Sequence, residues 1–110
     1  MKIEKFDIVI VLFPFSDSNN YKKRPALVLS DSEKFNRKIN HTILAMITSA
    51  RHNKWPLDIQ IIDRNQTSLP KPSIIRMKLF TLDNNLIIKK IGRLSKNDSE
   101  KVLLNIRMIF

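Results

Sequence analysis

The sequence predicts a mainly β fold: a small, closed or nearly closed β-barrel with a short helical turn and a C-terminal α-helix. Short runs of apolar and β-branched residues alternate with turn-forming clusters, which is typical of a domain built from many short strands. Only the last segment repeats its apolar residues with clear helical spacing. The length of 110 residues is that of one domain, so we expect a single domain over residues 1–110.

The first two predicted strands flank a polar loop. Residues 6–15 are rich in β-branched side chains and too few for a stable helix, so they predict a buried strand. Residues 16–23 combine Ser, Asp and Asn, which favour turns. Because Pro25 lacks the N–H that a ladder requires, we expect Arg24 and Pro25 to open a second strand over residues 26–30. Arg24 would then lie at the junction of loop and strand.

The middle of the chain predicts a helical turn and two strands. Residues 31–38 begin with Asp and Ser, which are helix-capping residues, and predict a short helical turn. Residues 42–48 form an unbroken apolar run, the pattern of a strand covered on both faces. A basic loop follows at residues 49–55. Residues 57–62 alternate in polarity well enough to predict a half-buried strand.

Two more strands and a helix complete the prediction. Turn-forming residues 63–71 precede short strands at residues 73–81 and 86–91. Ser95 followed by Asp98 is a variant of the capping box, and the apolar residues after it recur with helical spacing. Gly92, the sole glycine, precedes this cap, where we expect a positive φ or a close backbone approach.

Charge is the most informative part of the composition. Lys and Arg number 20 against 10 Asp and Glu, which gives a formal net charge of +10. Such a small basic domain favours a polyanionic partner: nucleic acid most often, or else an acidic protein or an anionic membrane surface. The alternative is a solvated basic surface without a specific partner.

The same composition argues against several kinds of site. The sequence has no cysteine, which excludes disulfides and thiolate zinc sites, and its two histidines lie on different predicted elements, so we expect no metal site. One glycine cannot build a phosphate-binding loop, so no nucleotide cofactor is expected, and no nucleophile elbow supports a Ser-His-Asp hydrolase. The longest apolar run is too short to span a membrane, and we expect a soluble, cytoplasmic protein without an export signal.

Short strings along nearly the whole chain resemble the MazF/PemK toxin ribonucleases in their order and spacing. These strings are Asp7-Ile8-Val9, Phe13-Pro14-Phe15, Lys23-Arg24-Pro25-Ala26-Leu27-Val28, Ile47-Thr48-Ser49, Lys71-Pro72-Ser73, Thr81-Leu82-Asp83 and Ile91-Gly92-Arg93-Leu94-Ser95. The resemblance implies an SH3-like barrel that pairs as a homodimer and acts as the toxin of a type II toxin–antitoxin system. It further implies cleavage of single-stranded RNA without metal or cofactor, by attack of the ribose 2′-hydroxyl, leaving a 2′,3′-cyclic phosphate and a 5′-hydroxyl. The partners expected on this basis are RNA and a small acidic antitoxin.

The resemblance also implies the catalytic residues. Arg24 matches the family's catalytic arginine, and because a guanidinium is a poor base, we expect it to stabilise the charge of the transition state. Thr48 matches the catalytic threonine, and Ser49 beside it can supply a further hydrogen-bond donor. Without the resemblance, Thr48 and Ser49 would be read as an ordinary strand end.

Arg76 is a fourth predicted catalytic residue, although the match is less complete. Some members of the family carry an arginine and an acidic residue on this strand, but residues 73–79 contain no acid here. Arg76 could act without an acidic partner, or Lys78 could contribute charge to RNA binding. In the third alternative, this segment is a core strand with exposed basic residues.

Basic and aromatic residues in two loops predict the RNA-binding surface. An aromatic ring among cations can stack on an unpaired base, although Trp55 could equally anchor an antitoxin peptide or plug the end of the barrel. The predicted RNA-binding residues are Asn20, Tyr21, Lys22, Lys23, Arg51, His52, Lys54, Trp55 and Lys78.

One further departure from the family pattern and two alternative functions remain. Phe6 stands where the family usually has glycine, which could alter the first turn, and Asp7 after it is expected to be structural. The chain could also be a non-catalytic barrel toxin that binds a protein target such as gyrase. A third alternative is a family member that has lost catalysis and binds only RNA or antitoxin.

Overall fold

A computed structural model describes residues 2–14, 21–51 and 54–110, and it confirms a mainly β fold with a C-terminal helix. The strands in these residues are β1 (Asp7–Pro14), β2 (Tyr21–Val28), β3 (His41–Ser49), β4 (Ile59–Gln60), β5 (Ser73–Asp83) and β6 (Ile87–Arg93). All six are antiparallel and form one sheet in the order β4-β5-β3-β2-β1-β6. The helical elements are a π-helical turn (Ser32–Asn36) that continues into α1 (Arg37–Ile39), a 3₁₀ turn (Asn84–Leu86) and α2 (Lys96–Ile109).

Strand β2 begins earlier than the sequence predicts. Its first residue is Tyr21, and it pairs with β1 from Pro14 back to Ile8, whereas its pairing with β3 covers only residues 26–28. Pro25 lies just outside the pairing with β3, where a missing N–H is tolerated. Arg24 is therefore inside a strand, opposite Val11, and the prediction that it lies at a loop-to-strand junction is wrong.

Strand β4 is shorter than the six residues predicted for it. Leu57 has a φ of 65°, in the left-handed region, which is incompatible with an extended strand. At the other end, the backbone N–H groups of Ile62 and Asp63 donate to Oδ2 of Asp98, each at 3.1 Å, instead of to a neighbouring strand. A turn at one end and a helix side chain at the other thus limit β4 to two residues.

Buried side chains lie on both faces of the sheet, as the unbroken apolar runs predicted. On one face, Ile8, Leu27 and Ala45 belong to a core that α2 covers through Val102. On the other face, alternate residues of the same three strands form a second cluster. That cluster consists of Val9, Val11, Ala26, Val28, Leu44, Leu82 and Ile87.

Helix α2 begins where the capping pattern predicts. The Oγ of Ser95 accepts a hydrogen bond of 3.1 Å from the backbone N–H of Asp98, as an N-cap does. Val102 is fully buried, whereas Leu103 and Ile109 remain about 40% exposed. The buried face of α2 therefore includes fewer residues than the spacing of its apolar residues predicted. Among the described residues, no helix is both long and apolar enough to cross a bilayer.

Gly92 allows a loop to pack against the edge of β6. A Cβ at this position would lie 2.7 Å from the carbonyl carbon of Thr67, far inside a normal contact. The next residue, Arg93, donates its N–H to the carbonyl of Gln66 at 2.8 Å. A close backbone approach, and not a positive φ, is therefore the reason for glycine here. The loop between β4 and β5 thus contacts β6, which lies at the other end of the sheet order.

The turn before β1 explains both Phe6 and Asp7. Phe6 has a φ of 69°, a conformation that favours glycine, and it packs against the core beneath α2. The Asp7 carboxylate is fully buried and accepts from the backbone N–H of Glu4 at 2.7 Å. It also pairs with Lys90 at 3.2 Å and with Arg93 at 3.0 Å, so its role in the fold is structural.

Candidate active site

A concavity of about 210 Å³ brings together three of the four predicted catalytic residues. It lies where the C-terminal end of β3 meets β2 and the loop before β5. Its lining residues are Arg24, Pro25, Ile47, Thr48, Ser49, Leu69, Pro70, Lys71 and Ser73. Residues that are far apart in the sequence thus meet in one concavity.

The sheet register explains why Arg24 and Thr48 meet. Ala26 pairs with Met46, and continuing that register by two residues would set Arg24 opposite Thr48. The pairing stops at Ala26, however, so the two strands diverge and leave room between them. Because side chains alternate along a strand, both residues point to the same face of the sheet. The strands therefore hold a cation and a hydroxyl on either side of an open gap.

The groups in this concavity suit the binding of a phosphodiester. Arg24 is exposed, while Thr48 and Ser49 are half-buried at the end of β3. The Oγ of Ser49 accepts from the N–H of Arg51 at 3.3 Å, which leaves its own proton available to a ligand. A guanidinium can contact two oxygens of a phosphate at once, and hydroxyls can donate to the others. The arrangement can stabilise a phosphate whose negative charge increases during a reaction.

A second concavity, of about 320 Å³, adjoins the first and is also basic. It is lined by Ser49, Ala50, Arg51, Lys71 and Pro72, and the two concavities share Ser49 and Lys71. Sequence analysis did not select Lys71 as a site residue. Lys71 appears in the sequence analysis only within Lys71-Pro72-Ser73, one of the strings that resemble the family.

Arg76 has an acidic partner from outside its own strand. Its Nε and Nη2 donate to the two carboxylate oxygens of Asp58 at 3.2 and 3.0 Å, in a bidentate pair. Both side chains are about one-tenth exposed. Residues 73–79 around Arg76 contain no acid, but an acidic residue is supplied by the segment before β4. Sequence reasoning missed Asp58, because residue 58 was assigned to the predicted strand over residues 57–62 and no local pattern links it to Arg76.

Asp58 also organises the turn that carries Trp55. Its carboxylate accepts from the backbone N–H of Trp55 at 2.8 Å, and the N–H of Asp58 donates back to the Trp55 carbonyl at 3.3 Å. The guanidinium carbon of Arg76 lies 5.1 Å from the centre of the indole ring. Burial alone would raise the pKa of Asp58, but the hydrogen bonds from Arg76 and Trp55 outweigh it and hold that pKa below its ordinary value. The carboxylate is therefore charged at neutral pH.

The predicted RNA-binding residues are spread around these features. Tyr21, Lys22 and Lys23 are exposed along β2 before Arg24. Arg51, Lys54 and Trp55 are exposed on the loop after β3, where Trp55 keeps 44% of its surface accessible, which disfavours a plug in the barrel end. Lys78 is exposed at a bulge of β5, where Met77 and Lys78 lie between the partners of Ala45 and Met46. Asn20 and His52 lie outside the described residues.

A larger concavity, of about 370 Å³, lies elsewhere on the molecule and shares no lining residue with the two basic ones. Its two asparagines are engaged in hydrogen bonds within the protein. Nδ2 of Asn84 donates to the carbonyl of Asn36 at 3.1 Å, and Oδ1 of Asn84 accepts from Thr42 of β3 at 2.7 Å. We assign it no role. Within the described ranges, no three His, Cys, Asp or Glu side chains gather as metal ligands would.

A comparison with protein families finds a match over nearly the whole chain. Residues 4–110 match the family described as PemK-like, MazF-like toxins of type II toxin–antitoxin systems. A search of curated proteins finds no significant match to the sequence.

Solved structures share the fold at low sequence identity. MazF from Deinococcus radiodurans superposes with a TM-score of 0.78 at 17% identity, covering 99% of this chain and 96% of that one. An endoribonuclease in complex with its cognate antitoxin, from a mycobacterial species, gives 0.74 at 13% identity, covering 96% and 92%. The Mycobacterium tuberculosis toxin MazF-mt6 gives 0.71 at 21% identity, covering 91% of each chain.

Proposed function

Because this chain belongs to the PemK-like, MazF-like toxins of type II toxin–antitoxin systems, we propose that it is a sequence-preferring endoribonuclease that cleaves single-stranded RNA without a metal ion. The observation that carries this proposal is the meeting of Arg24, Thr48 and Ser49 in one open, basic concavity. Solved structures of the same fold are described as endoribonucleases, which supports the same activity here.

The proposed reaction is an internal transesterification. The ribose 2′-oxygen attacks the adjacent phosphorus, a new P–O2′ bond forms, and the P–O5′ bond breaks. One proton leaves the 2′-hydroxyl and one is delivered to the departing 5′-oxygen, so no water is consumed and the products are a 2′,3′-cyclic phosphate and a 5′-hydroxyl. In this scheme Arg24 stabilises the extra charge on the phosphorane-like transition state. The hydroxyls of Thr48 and Ser49 position the phosphate and the 2′-oxygen.

The RNA backbone is proposed to follow the basic surface on either side of the concavity. Tyr21, Lys22 and Lys23 would contact it on β2, and Arg51 and Lys54 on the loop after β3. Asn20, His52 and Lys78 remain predicted contacts, whereas the burial of Arg76 and its pairing with Asp58 favour a supporting role over the predicted catalytic one. Contacts to phosphates supply affinity without sequence preference, which requires contacts to the bases.

The proposed partner is a small acidic antitoxin, and the proposed assembly is a homodimer. A net charge of +10 on 110 residues favours a strongly acidic partner. One solved structure of this fold is described as an endoribonuclease in complex with its cognate antitoxin. An antitoxin segment that folds onto the toxin would cover the same basic surface that RNA requires.

Truncation of Arg24 tests the proposal. We expect Arg24→Ala to lower the single-turnover rate of RNA cleavage by about 10²–10³-fold, because it removes one group that stabilises the transition state. Folding should persist, since the Arg24 side chain is exposed and its strand is held by backbone pairing. Thr48→Val, which keeps the shape of the side chain without its hydroxyl, is expected to lower the rate by about 10²-fold.

Arg37→Ala is the matched control. Arg37 is equally exposed, its pairing with Glu33 is a surface ion pair, and it lines a different concavity. This variant loses the same charge and should keep its activity. Equal cleavage by Arg24→Ala and Arg37→Ala would contradict the proposed site, whereas toxicity without any RNA cleavage by the parent protein would favour a non-catalytic toxin.

A further inference from the structure

Trp55, Asp58 and Arg76 form a small cluster beside the candidate active site, which we call the Trp55 platform. Asp58 binds the guanidinium of Arg76 through both carboxylate oxygens, at 3.2 and 3.0 Å. The same carboxylate accepts from the backbone N–H of Trp55 at 2.8 Å. One acidic side chain therefore fixes both the backbone that carries the indole and the cation that lies against it.

The indole has a cation against one face and remains partly exposed to solvent. The guanidinium carbon of Arg76 lies 5.1 Å from the ring centre, within the range of a cation–π interaction. Arg76 itself is nearly buried, with a side chain 11% exposed, whereas Trp55 is 44% exposed. An exposed aromatic ring that is held in place offers a flat surface on which a nucleic-acid base can stack.

The platform lies close to the reacting groups. Thr48 pairs with Ile74 across the sheet, and Arg76 follows Ile74 by two residues on β5. At about 3.3 Å per residue, this displacement is roughly 7 Å along the strand. Arg76, Ile74 and Thr48 also share one face of the sheet, because side chains alternate and paired residues face the same way. A ligand held at Thr48 therefore has a neighbouring part within reach of the indole.

Charge favours a flat, uncharged ligand on the platform. The pairing of Arg76 with Asp58 neutralises both groups, so the surface under the ligand is an indole without a free charge. Exposed cations lie around it on the same loop, at Arg51 and Lys54. Bases stacked on aromatic side chains, with the backbone held by surrounding cations, are the common mode of single-strand binding.

We propose that Asp58 and Arg76 hold Trp55 as a stacking platform for the base of a nucleotide next to the scissile phosphate. Asp58 and Arg76 are then positioning residues, and Trp55 contributes to the choice of cleavage site. This inference rests on the proposed function in taking RNA as the ligand. It assigns to Asp58 a role that neither its sequence position nor the resemblance indicates.

The fluorescence of Trp55 provides a direct test, because it is the only tryptophan in the chain. The probe is a short single-stranded 2′-O-methyl RNA of random sequence, whose 2′-oxygen cannot attack, so the measurement does not depend on cleavage. The comparison is an abasic oligonucleotide with the same backbone and length. We expect the base-bearing RNA to quench the fluorescence and the abasic backbone to leave it nearly unchanged, while the anisotropy of labelled probes reports whether each one binds.

The outcomes separate the platform from the proposed function. Binding of the base-bearing RNA without quenching, or equal quenching by the abasic backbone, would overturn the platform and leave the ribonuclease proposal intact. Absence of any RNA binding would overturn both. Quenching that requires the bases would support the platform even if no cleavage were found.

Variants give a second, independent readout. Trp55→Leu changes an exposed residue and should fold, and we expect it to bind base-bearing RNA about tenfold more weakly, with no change for the abasic backbone. Asp58→Asn should reduce the quenching and relax the base preference beside the mapped cut sites. Its control is Asp63→Asn, which removes the same charge from an exposed turn where the carboxylate accepts from the N–H of Asn65 at 3.0 Å. Unchanged base preference and unchanged quenching in Asp58→Asn would contradict a positioning role.

Discussion

Arg24 and Arg76 are both arginines on strands of the same sheet, and their surroundings give them different chemistry. Arg24 is exposed and lines a concavity that also contains the hydroxyls of Thr48 and Ser49. Arg76 is nearly buried and bound to a carboxylate through two of its nitrogens. A cation that must contact a phosphate has to be accessible, and a cation that supports an aromatic ring has to be fixed. We therefore propose that Arg24, and not Arg76, contacts the reacting phosphate.

The ion pair of Asp58 and Arg76 leads to a prediction for pH. The folded-state pKa of Asp58 is lowered, since the hydrogen bonds from Arg76 and Trp55 outweigh the opposing effect of burial. A lowered pKa means that the pair's contribution to stability is fully present above the unfolded-state pKa, near pH 4, and is lost as the pH falls through the folded-state pKa.

We therefore expect Asp58→Asn to be less stable than the parent by an amount that is constant from about pH 5 to 8, on the order of 2 kcal/mol. The difference should shrink as the solution is acidified below about pH 4. Urea unfolding of both proteins across this range measures it. A difference that grows on acidification, or none at neutral pH, would show that the ion pair does not stabilise the fold.

At the scale of single residues, the sequence predicts the site in part. The resemblance identified Arg24, Thr48 and Ser49, and the structure brings these three together. Asp58 could not be found in this way, because it is 18 residues from Arg76 and reaches it only after β4 and β5 are placed side by side. A partner on another element leaves no spacing pattern in the sequence.

At the scale of elements, the turn before β1 combines strain and packing in one residue. Phe6 has a φ of 69°, a conformation that is unfavourable for every L-residue but not for glycine. Its ring nevertheless packs against the core under α2. Its backbone also links two elements, donating to Val28 at 2.7 Å and accepting from Leu94 at 3.0 Å. The aromatic ring thus offsets an unfavourable backbone conformation.

Two substitutions separate these effects. Phe6→Ala loses the packing and keeps the strained φ, whereas Phe6→Gly loses the same packing and relieves the strain. We expect both variants to be less stable than the parent, with Phe6→Gly more stable than Phe6→Ala by about 1 kcal/mol. Thermal or chemical unfolding decides the order. If the alanine variant were the more stable, the backbone at Phe6 would not be in the left-handed region.

The sequence predicted an element correctly where local patterns determine its bounds. It predicted the bounds wrongly where contacts with distant residues determine them. Strand β3 and helix α2 were predicted correctly, because an unbroken apolar run and a capping pattern are local signals. Strand β4 was predicted too long, because Asp98 on α2 captures the N–H groups that would have extended it. Strand β2 was predicted too short, because its pairing with β1 overrides the polar, turn-like character of its first residues.

At the scale of the whole molecule, the two faces of the sheet differ in what they carry. One face carries the core that α2 covers. The other face carries the second cluster and, at its margin, Arg24, Thr48 and Arg76. The loop between β4 and β5 contacts Gly92 of β6 through Gln66 and Thr67, and the same loop lines the concavity at Leu69 and Lys71. The rigid sheet thus positions groups that the loops leave accessible.

The central claim is that this concavity directs the RNA's own 2′-oxygen at its phosphate. The most direct measurement is the chemistry of the cut ends, obtained by incubating the purified protein with a long single-stranded RNA in EDTA and mapping both termini. A single 2′-deoxynucleotide is then placed at a mapped site. The account predicts 2′,3′-cyclic phosphate and 5′-hydroxyl ends, and no cleavage after the deoxynucleotide. Ends bearing a 5′-phosphate, continued cleavage at the deoxynucleotide, or intact RNA after treatment with the folded protein would contradict it.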